Sequence, residues 1–166
     1  MSDIDQDIQE LRARLKEGSI RNAYKGIVSY MARLRSALAE QHGPRQVSGM
    51  YQGYLDITHF AFFPEPLKER DLKLTVLFNF ETFTFEVWLT ARNREVGKRY
   101  WGLLRESGYN QHPLLEPAVG NVAIVKAILS DDFSLADEAR LTEQLTQGLL
   151  VFEREIVASL SAVDAR

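Results

Sequence analysis

Hydrophobic and polar residues alternate in two consecutive runs, and this alternation predicts a pair of strands. Apolar side chains occupy every second position of residues 72–80 and again of residues 83–91. A two-residue turn at residues 81–82, or a four-residue loop around it, pairs apolar residues with apolar residues and places Phe78 opposite Phe85. A shift of one residue would turn polar side chains towards the core, so the hairpin has one strongly preferred register.

Helical periodicity precedes the hairpin. Residues 3–17 predict a short helix with a narrow apolar stripe. Residues 20–38 predict a longer helix, whose apolar residues alternate steps of four and three: Ile20, Tyr24, Ile27, Met31, Leu34 and Leu38. This spacing suits packing against another helix, including one from a second copy of the chain. The simpler interpretation, which we favour, is that one face of the helix lies on the sheet.

The aromatic and β-branched stretch at residues 50–63 predicts the first strand. Both faces of that strand are partly apolar, which implies helices on both sides of the sheet, or a dimer partner on one side. After the hairpin, Asn93 is expected to cap a helix. Residues 122–129 predict a fourth strand in preference to a short buried helix, because turn residues flank them.

A capping box at Ser134 opens a last, long helix. The predicted order is therefore α-β-β-β-α-β-α, in an α+β fold whose antiparallel sheet has three to four strands packed against helices. A length of 166 residues fits a single domain over residues 1–166.

Composition narrows the class of protein. A net charge of -3 argues against a dedicated nucleic-acid binder. The chain has no cysteine, which excludes disulfides and thiolate metal sites and favours a reducing compartment. The first fifteen residues carry alternating charges instead of the apolar core of a signal peptide, and no apolar run approaches the ~20 residues of a membrane span. We therefore expect a cytoplasmic protein without a membrane partner.

No phosphate loop, nucleophile elbow, zinc spacing or dinucleotide fingerprint is present, so the sequence predicts no cofactor and no metal site. His42, His59 and His112 lie in three separate segments.

Glu86 lies on the less apolar face of the hairpin. If a helix covered that face, Glu86 would be a buried carboxylate in a site, or, as we favour, the partner of a lysine or arginine from that helix. The candidate binding residues are Tyr54, Asp56, Glu86, Trp88, Arg94 and Lys98.

Basic residues dominate the predicted helix at residues 92–106. Arg94, Lys98, Trp101 and Arg105 fall on one side of it, where they could hold phosphates or stack a base. The favoured interpretation is a solvated face paired with local acids, here Glu95 and Glu106. Nucleic-acid binding through this helix is the less favoured alternative.

Four segments carry a resemblance to a known family: YQGYLDITHFAFF, LKLTVLFN, FEVWLTARNREVGKRYW and the long last helix. Over roughly residues 20–156 the chain resembles an uncharacterised bacterial cytoplasmic protein family, catalogued as a domain of unknown function. Its most specific parts are residues 51–54 and 88–101. The resemblance implies a bacterial cytoplasmic fold and transfers no catalytic residue.

The element order is also similar to the core of the restriction-endonuclease-like nucleases. Those enzymes need a carboxylate on the second strand and an acid-x-lysine on the third. Here Glu86-Val87-Trp88 stands in the third-strand place, and the lysine is missing. We therefore expect a non-enzymatic binding or protein-interaction module acting as a homodimer. The alternative is a nuclease-like or other small hydrolase with a degenerate metal-dependent site that includes Asp56, Glu86 and Lys98.

Overall fold

A computed structural model describes residues 2–165, and within them the chain forms an antiparallel sheet of five strands in sequence order. The strands are β1 (Tyr51–Gln52), β2 (Ile57–Phe62), β3 (Leu72–Asn79), β4 (Thr84–Ala91) and β5 (Ala123–Ser130). The helices are α1 (Asp3–Lys16), α2 (Ser19–His42), α3 (Glu65–Lys68), α4 (Arg94–Glu106) and α5 (Glu138–Asp164). Short 3-10 turns lie at Pro44–Gln46 and Leu135–Asp137. The predicted α+β class is confirmed, but three to four strands was too few.

The additional strand arises because residues 50–63 form a hairpin, β1–β2, where we expected a single strand. Its turn is closed by the Gly53 N–H, which donates to the carbonyl of Ile57 over 2.9 Å. A Cβ atom at Gly53 would lie 2.8 Å from the backbone carbonyl oxygen of Ile57, closer than side chains normally approach, so the turn favours glycine there. Leu55 adopts a positive φ of 60° in the same turn. One glycine inside an aromatic stretch was too weak a turn signal to predict this reversal.

The β3–β4 hairpin has the predicted register, with Phe78 opposite Phe85. The centroids of these two rings lie 4.9 Å apart in an edge-to-face arrangement. The connection is the four-residue loop, residues 80–83. Phe83 has a φ of 55° and is 56% exposed, so the alternation does not continue through it into the core.

Helices α2, α4 and α5 all pack on the sheet face that carries Phe78 and Phe85. The favoured interpretation of α2 is confirmed, because Met31, Leu34 and Leu38 of its stripe are buried in this core. The predicted strand at residues 122–129 is also confirmed, as β5. The cluster continues along α5, where Leu141, Leu145, Leu149, Phe152, Ile156, Leu160 and Val163 are buried.

The opposite face of the sheet, which we call the open face, carries no packed helix from residues 2–165. It presents the alternate side chains of four strands: His59, Ala61, Lys73, Thr75, Leu77, Glu86, Trp88, Thr90, Lys126 and Ile128. Of the two alternatives for the first strand, helices on both sides of the sheet is therefore wrong, and a dimer partner on one side stays a prediction. The more polar set of alternate residues in β3 and β4 points to this face. Within the described chain, the polar side chains of these strands therefore lie together on one surface.

None of the helices described in residues 2–165 is long and apolar enough to cross a membrane.

Candidate functional site on the open face of the sheet

A shallow hollow of about 210 Å³ lies on the open face, where β2, β3 and β4 run side by side. The turn at residues 120–122 forms part of its rim. The polar and aromatic side chains that line it come from the three strands: His59, Lys73, Thr75, Trp88 and Thr90. His59 comes from a different segment than the four hairpin residues, and it meets them because the β2–β3 register places all five on one face.

The floor of the hollow is formed by two buried threonines from neighbouring strands. The Oγ1 atoms of Thr75 and Thr90 lie 2.8 Å apart and share a hydrogen bond. Thr90 also donates weakly to the backbone carbonyl of Lys73, over 3.4 Å. Either hydroxyl can be the donor of this bond, so when Thr90 donates to Thr75 the Thr75 hydroxyl proton is free to donate to a bound molecule.

His59 forms the wall on the β2 side. Its ring lies 4.9 Å from the ring of Tyr51, and its Nδ1 atom is buried without a hydrogen-bond partner among residues 2–165. Burial lowers the pKa of His59, the nearby charge of Lys73 lowers it further, and Asp56 acts weakly in the opposite direction. His59 is therefore neutral at pH 7 and offers one ring nitrogen as donor and the other as acceptor.

Glu86 is 8% exposed and lies beside the hollow. Its Oε1 accepts hydrogen bonds from Thr84 at 2.7 Å, Asn79 at 3.2 Å and Thr82 at 3.3 Å, while Oε2 accepts from Trp88 at 2.6 Å. The predicted ion pair with a covering helix is wrong, since no described helix covers this face and all four donors are uncharged. Hairpin side chains alone satisfy this carboxylate, as the burial of a charge requires.

Trp88 is fixed from two directions. Glu86 holds its indole N–H, and the Nζ atom of Lys126 lies 3.8 Å from the ring centroid. A cation over an indole face is an attractive arrangement. Both contacts come from the open face itself, so they orient the indole along the wall of the hollow before any ligand binds.

The other predicted site residues lie outside the hollow. Tyr54 is 97% exposed on the β1–β2 turn. Asp56 is exposed on the same turn, and its pKa is lowered chiefly by the hydrogen bond from the backbone N–H of Ile57. Arg94 and Lys98 are exposed on α4, which packs on the covered face. Of the six candidates, the structure brings only Glu86 and Trp88 together.

The hydrolase alternative required Asp56, Glu86 and Lys98 in one pocket. Asp56 lies on a turn, Glu86 on the open face and Lys98 on a helix behind the sheet, so the described chain does not assemble that pocket. No group of three or more His, Asp or Glu residues within residues 2–165 is arranged to hold a metal ion.

The favoured interpretation of the basic side of α4, a solvated face paired with local acids, is correct only in part. The guanidinium of Arg105 lies over the Trp101 ring, 4.9 Å from its centroid. The expected ion pairs with Glu95 and Glu106 are absent among residues 2–165. Because Arg105 already covers Trp101, that ring has one face fewer for a base to stack on. Nucleic-acid binding by α4 stays a prediction.

Five residues that line the hollow were left out of the candidate set chosen from the sequence: His59, Lys73, Thr75, Thr90 and Asn121. Lys73, Thr75 and Thr90 share the parity of Glu86 and Trp88 on the predicted hairpin, so that signal was present in the sequence. The position of His59 depends on the β2–β3 register, in which His59 lies opposite Leu77. The connection between β2 and β3 contains α3 and is not a tight turn, so turn geometry does not fix that register.

The sequence was also compared with known proteins. A family described as "Domain of unknown function (DUF7000)" matches residues 4–160. The chain belongs to this family. The DUF7000 match spans every strand of the sheet, and with it the open face and the hollow. It confirms the predicted resemblance to a domain-of-unknown-function family, while a bacterial origin stays a prediction. No curated protein and no solved structure matches the chain.

Proposed function

We propose that this DUF7000 protein is a non-enzymatic binding module that holds a small organic anion in the hollow of the open face, and that it acts as a homodimer. The observation that carries the ligand proposal is Lys73. It lines the hollow, and within residues 2–165 it forms no ion pair. The Lys73 side chain is half-buried, and its Nζ atom lies 6.0 Å from the centroid of the Phe63 ring. An aromatic ring does not neutralise the ammonium, and a bound anion would supply the counter-charge.

The charges around the hollow support an anion over a cation. Lys73 and Lys126 both lie on the open face, and neither is paired with an acid among residues 2–165. Glu86 is the carboxylate of that face, and four donors already surround it. Hydrogen bonds from the hairpin occupy both of its oxygens, and Glu86 itself does not line the hollow. The Thr75 and Thr90 hydroxyls and the His59 ring add neutral hydrogen-bonding groups.

The size and lining of the hollow limit the ligand. A volume of about 210 Å³ is below the usual range for drug-sized molecules. Ile57, Val122 and Ala123 contribute apolar surface beside Trp88. A compact molecule with an apolar or aromatic body and one anionic group matches both halves of this lining. Benzoate is a suitable probe of that class, and inorganic phosphate tests the anion alone.

The binding experiment uses the fluorescence of Trp88. The chain has two tryptophans, so Trp101→Phe leaves Trp88 as the single emitter. We expect benzoate to change its emission saturably and inorganic phosphate to bind more weakly. Lys73→Met should raise the Kd for benzoate about tenfold or more, because it removes a charge-assisted contact.

Lys98→Met is the matched control, since it makes the same change of charge on the covered side of the protein. Its Kd for benzoate should equal that of the parent. The ligand proposal is overturned if neither probe changes Trp88 emission, or if Lys98→Met weakens binding as much as Lys73→Met. In the first case the open face has no affinity for anions, and in the second the effect is one of net charge.

A further inference from the structure

The strongest unassigned feature outside the hollow is α1. None of its residues is buried, and three large aliphatic side chains of one stripe face solvent: Ile4 is 62% exposed, Ile8 51% and Leu11 51%. Leu15 completes this set, which we call the α1 stripe, and is half-buried next to α2. An isolated helix of 14 residues is marginal in water, so an exposed apolar stripe at steps of four and three is a surface that lacks a partner.

A groove of about 420 Å³ runs along this stripe. Ile8, Leu11 and Leu15 form its apolar lining. Arg12, Lys16 and Arg21 line it as well, so basic side chains border the apolar surface. The groove therefore fits a helix that has an apolar stripe flanked by acids.

The first half of α1 has that composition. Asp3, Asp5 and Asp7 are all in the N-terminal half, and Arg12, Arg14 and Lys16 are all in the C-terminal half. Glu10 is the one exception, and it forms an exposed ion pair with Arg14 of its own helix at 3.7 Å. A helix with separated charges of this kind is complementary to a second copy of itself that runs in the opposite direction.

We infer that two copies of the chain associate through α1, packed antiparallel about a two-fold axis. In the register that aligns the stripes, Ile4 contacts Leu15 of the partner subunit and Ile8 contacts Leu11 of the partner subunit. On the flanks, Asp5 then faces Arg12 of the partner subunit, and Asp7 faces Arg14 of the partner subunit. Symmetry repeats each contact. A parallel pair would instead bring the acidic ends of the two helices together.

This inference rests on the homodimer part of the proposed function and identifies its interface. The α1 stripe lies inside the family match at residues 4–160, so it belongs to the shared domain. The interface is a single short helix pair, smaller than standard stable interfaces, and a Kd on the order of micromolar is expected. Burial of the α1 stripe provides the favourable free energy of association, and the flanking charges select the antiparallel direction.

Charge exchange at one flanking pair tests the arrangement. Asp7→Arg and Arg14→Asp each place like charges opposite each other in their own homodimers. An equimolar mixture of the two variants restores opposite charges at every Asp7–Arg14 position of an antiparallel heterodimer, but not of a parallel one. Asp5 is left unchanged because it accepts the Ser2 hydroxyl over 2.7 Å in the capping box of α1.

Sedimentation velocity of the full chain across a concentration series is the measurement. We expect each variant alone to raise the dimer Kd about tenfold, and the mixture to return it to the parent value. Gln6→Arg is the control, because residue 6 lies away from the stripe and its flanks and should leave the Kd unchanged. Circular dichroism shows whether each variant keeps its helix content.

The outcomes separate the two proposals. A parent chain that sediments as a monomer throughout the series overturns the homodimer and its interface together. A parent dimer that is insensitive to both variants leaves the homodimer standing and overturns the α1 interface. A mixture that dimerises no better than either variant overturns the antiparallel direction. The anion test in the hollow is unaffected by all three.

Discussion

The indole Nε1 of Trp88 donates to Oε2 of Glu86 across 2.6 Å, a contact between alternate residues of one strand. Alternate residues of a strand share a face, so the two side chains emerge side by side on the open face. This relationship lets a largely buried carboxylate exist without a positive partner. It also fixes the aromatic wall of the hollow, because the group that holds the indole is itself held by Thr84 at 2.7 Å.

Glu86→Ala should destabilise the protein by about 2 kcal/mol or more, because the Trp88 and Thr84 donors lose a charged acceptor. Glu86→Gln keeps acceptor capacity at one oxygen and should cost less. Chemical denaturation gives both free energies of unfolding. Glu81→Ala, in the exposed hairpin loop, is the control and should change the stability by less than about 0.5 kcal/mol. A Glu86→Ala variant as stable as its parent would show that water satisfies these donors.

Phe85→Ala tests the hairpin core. Phe85 is fully buried and contacts the rings of Phe78, Tyr30 and Phe133. Its removal leaves a large cavity, and we expect a loss of about 3–5 kcal/mol in the free energy of unfolding. Phe83→Ala removes the same atoms from a side chain that is 56% exposed, and should cost clearly less. Equal losses in denaturant melts would contradict the predicted core.

The β3–β4 hairpin was predictable because its signal is local. Phe78 and Phe85 are seven residues apart, and only one register buries all of their apolar neighbours. The capping of α4 by Asn93 is equally local, since its side chain accepts from the Val96 N–H over 2.9 Å. Such features depend on residues that are close together in the sequence.

The hollow was not predictable in this way, because its walls come from separate segments. His59 and Lys73 are brought to one face by a β2–β3 register that no tight turn determines. Hydrophobic periodicity also leaves open which face of a partly apolar sheet the helices cover. The favoured interpretation of Glu86, an ion pair with a covering helix, depended on a helix that the described chain does not place on that face. Its real partners, Thr84 and Trp88, were present two residues away on the same face.

Gly53→Ala tests the turn that sequence reasoning missed. The added Cβ atom would clash with Oδ1 of Asp56 and would lie 2.8 Å from the carbonyl oxygen of Ile57, which is backbone and cannot move away easily. We expect a loss of about 1–3 kcal/mol in the free energy of unfolding. Gly49→Ala is the matched control, since nothing lies within 4 Å of its added Cβ atom. If the two variants lose the same free energy of unfolding, the turn accommodates a Cβ atom and the described close contact does not constrain it.

Acid should weaken the fold through His59. Burial, followed by the charge of Lys73, lowers the pKa of His59 below its ordinary value of 6.5. The unfolded chain then binds more protons than the folded chain, so this contribution is complete above about pH 6.5 and is lost as the pH falls from that value through the lower pKa of the folded chain. Burial raises the pKa of Glu153, which favours the fold as the pH falls, so variants must be compared with the parent at each pH.

Urea melts between about pH 5 and 7 measure this effect as a loss of free energy of unfolding with acid. We expect that loss to be smaller in His59→Gln than in the parent, and intermediate in Lys73→Met, where burial still acts. A His59→Gln profile parallel to that of the parent would show that His59 is as easily protonated in the folded chain as in the unfolded one.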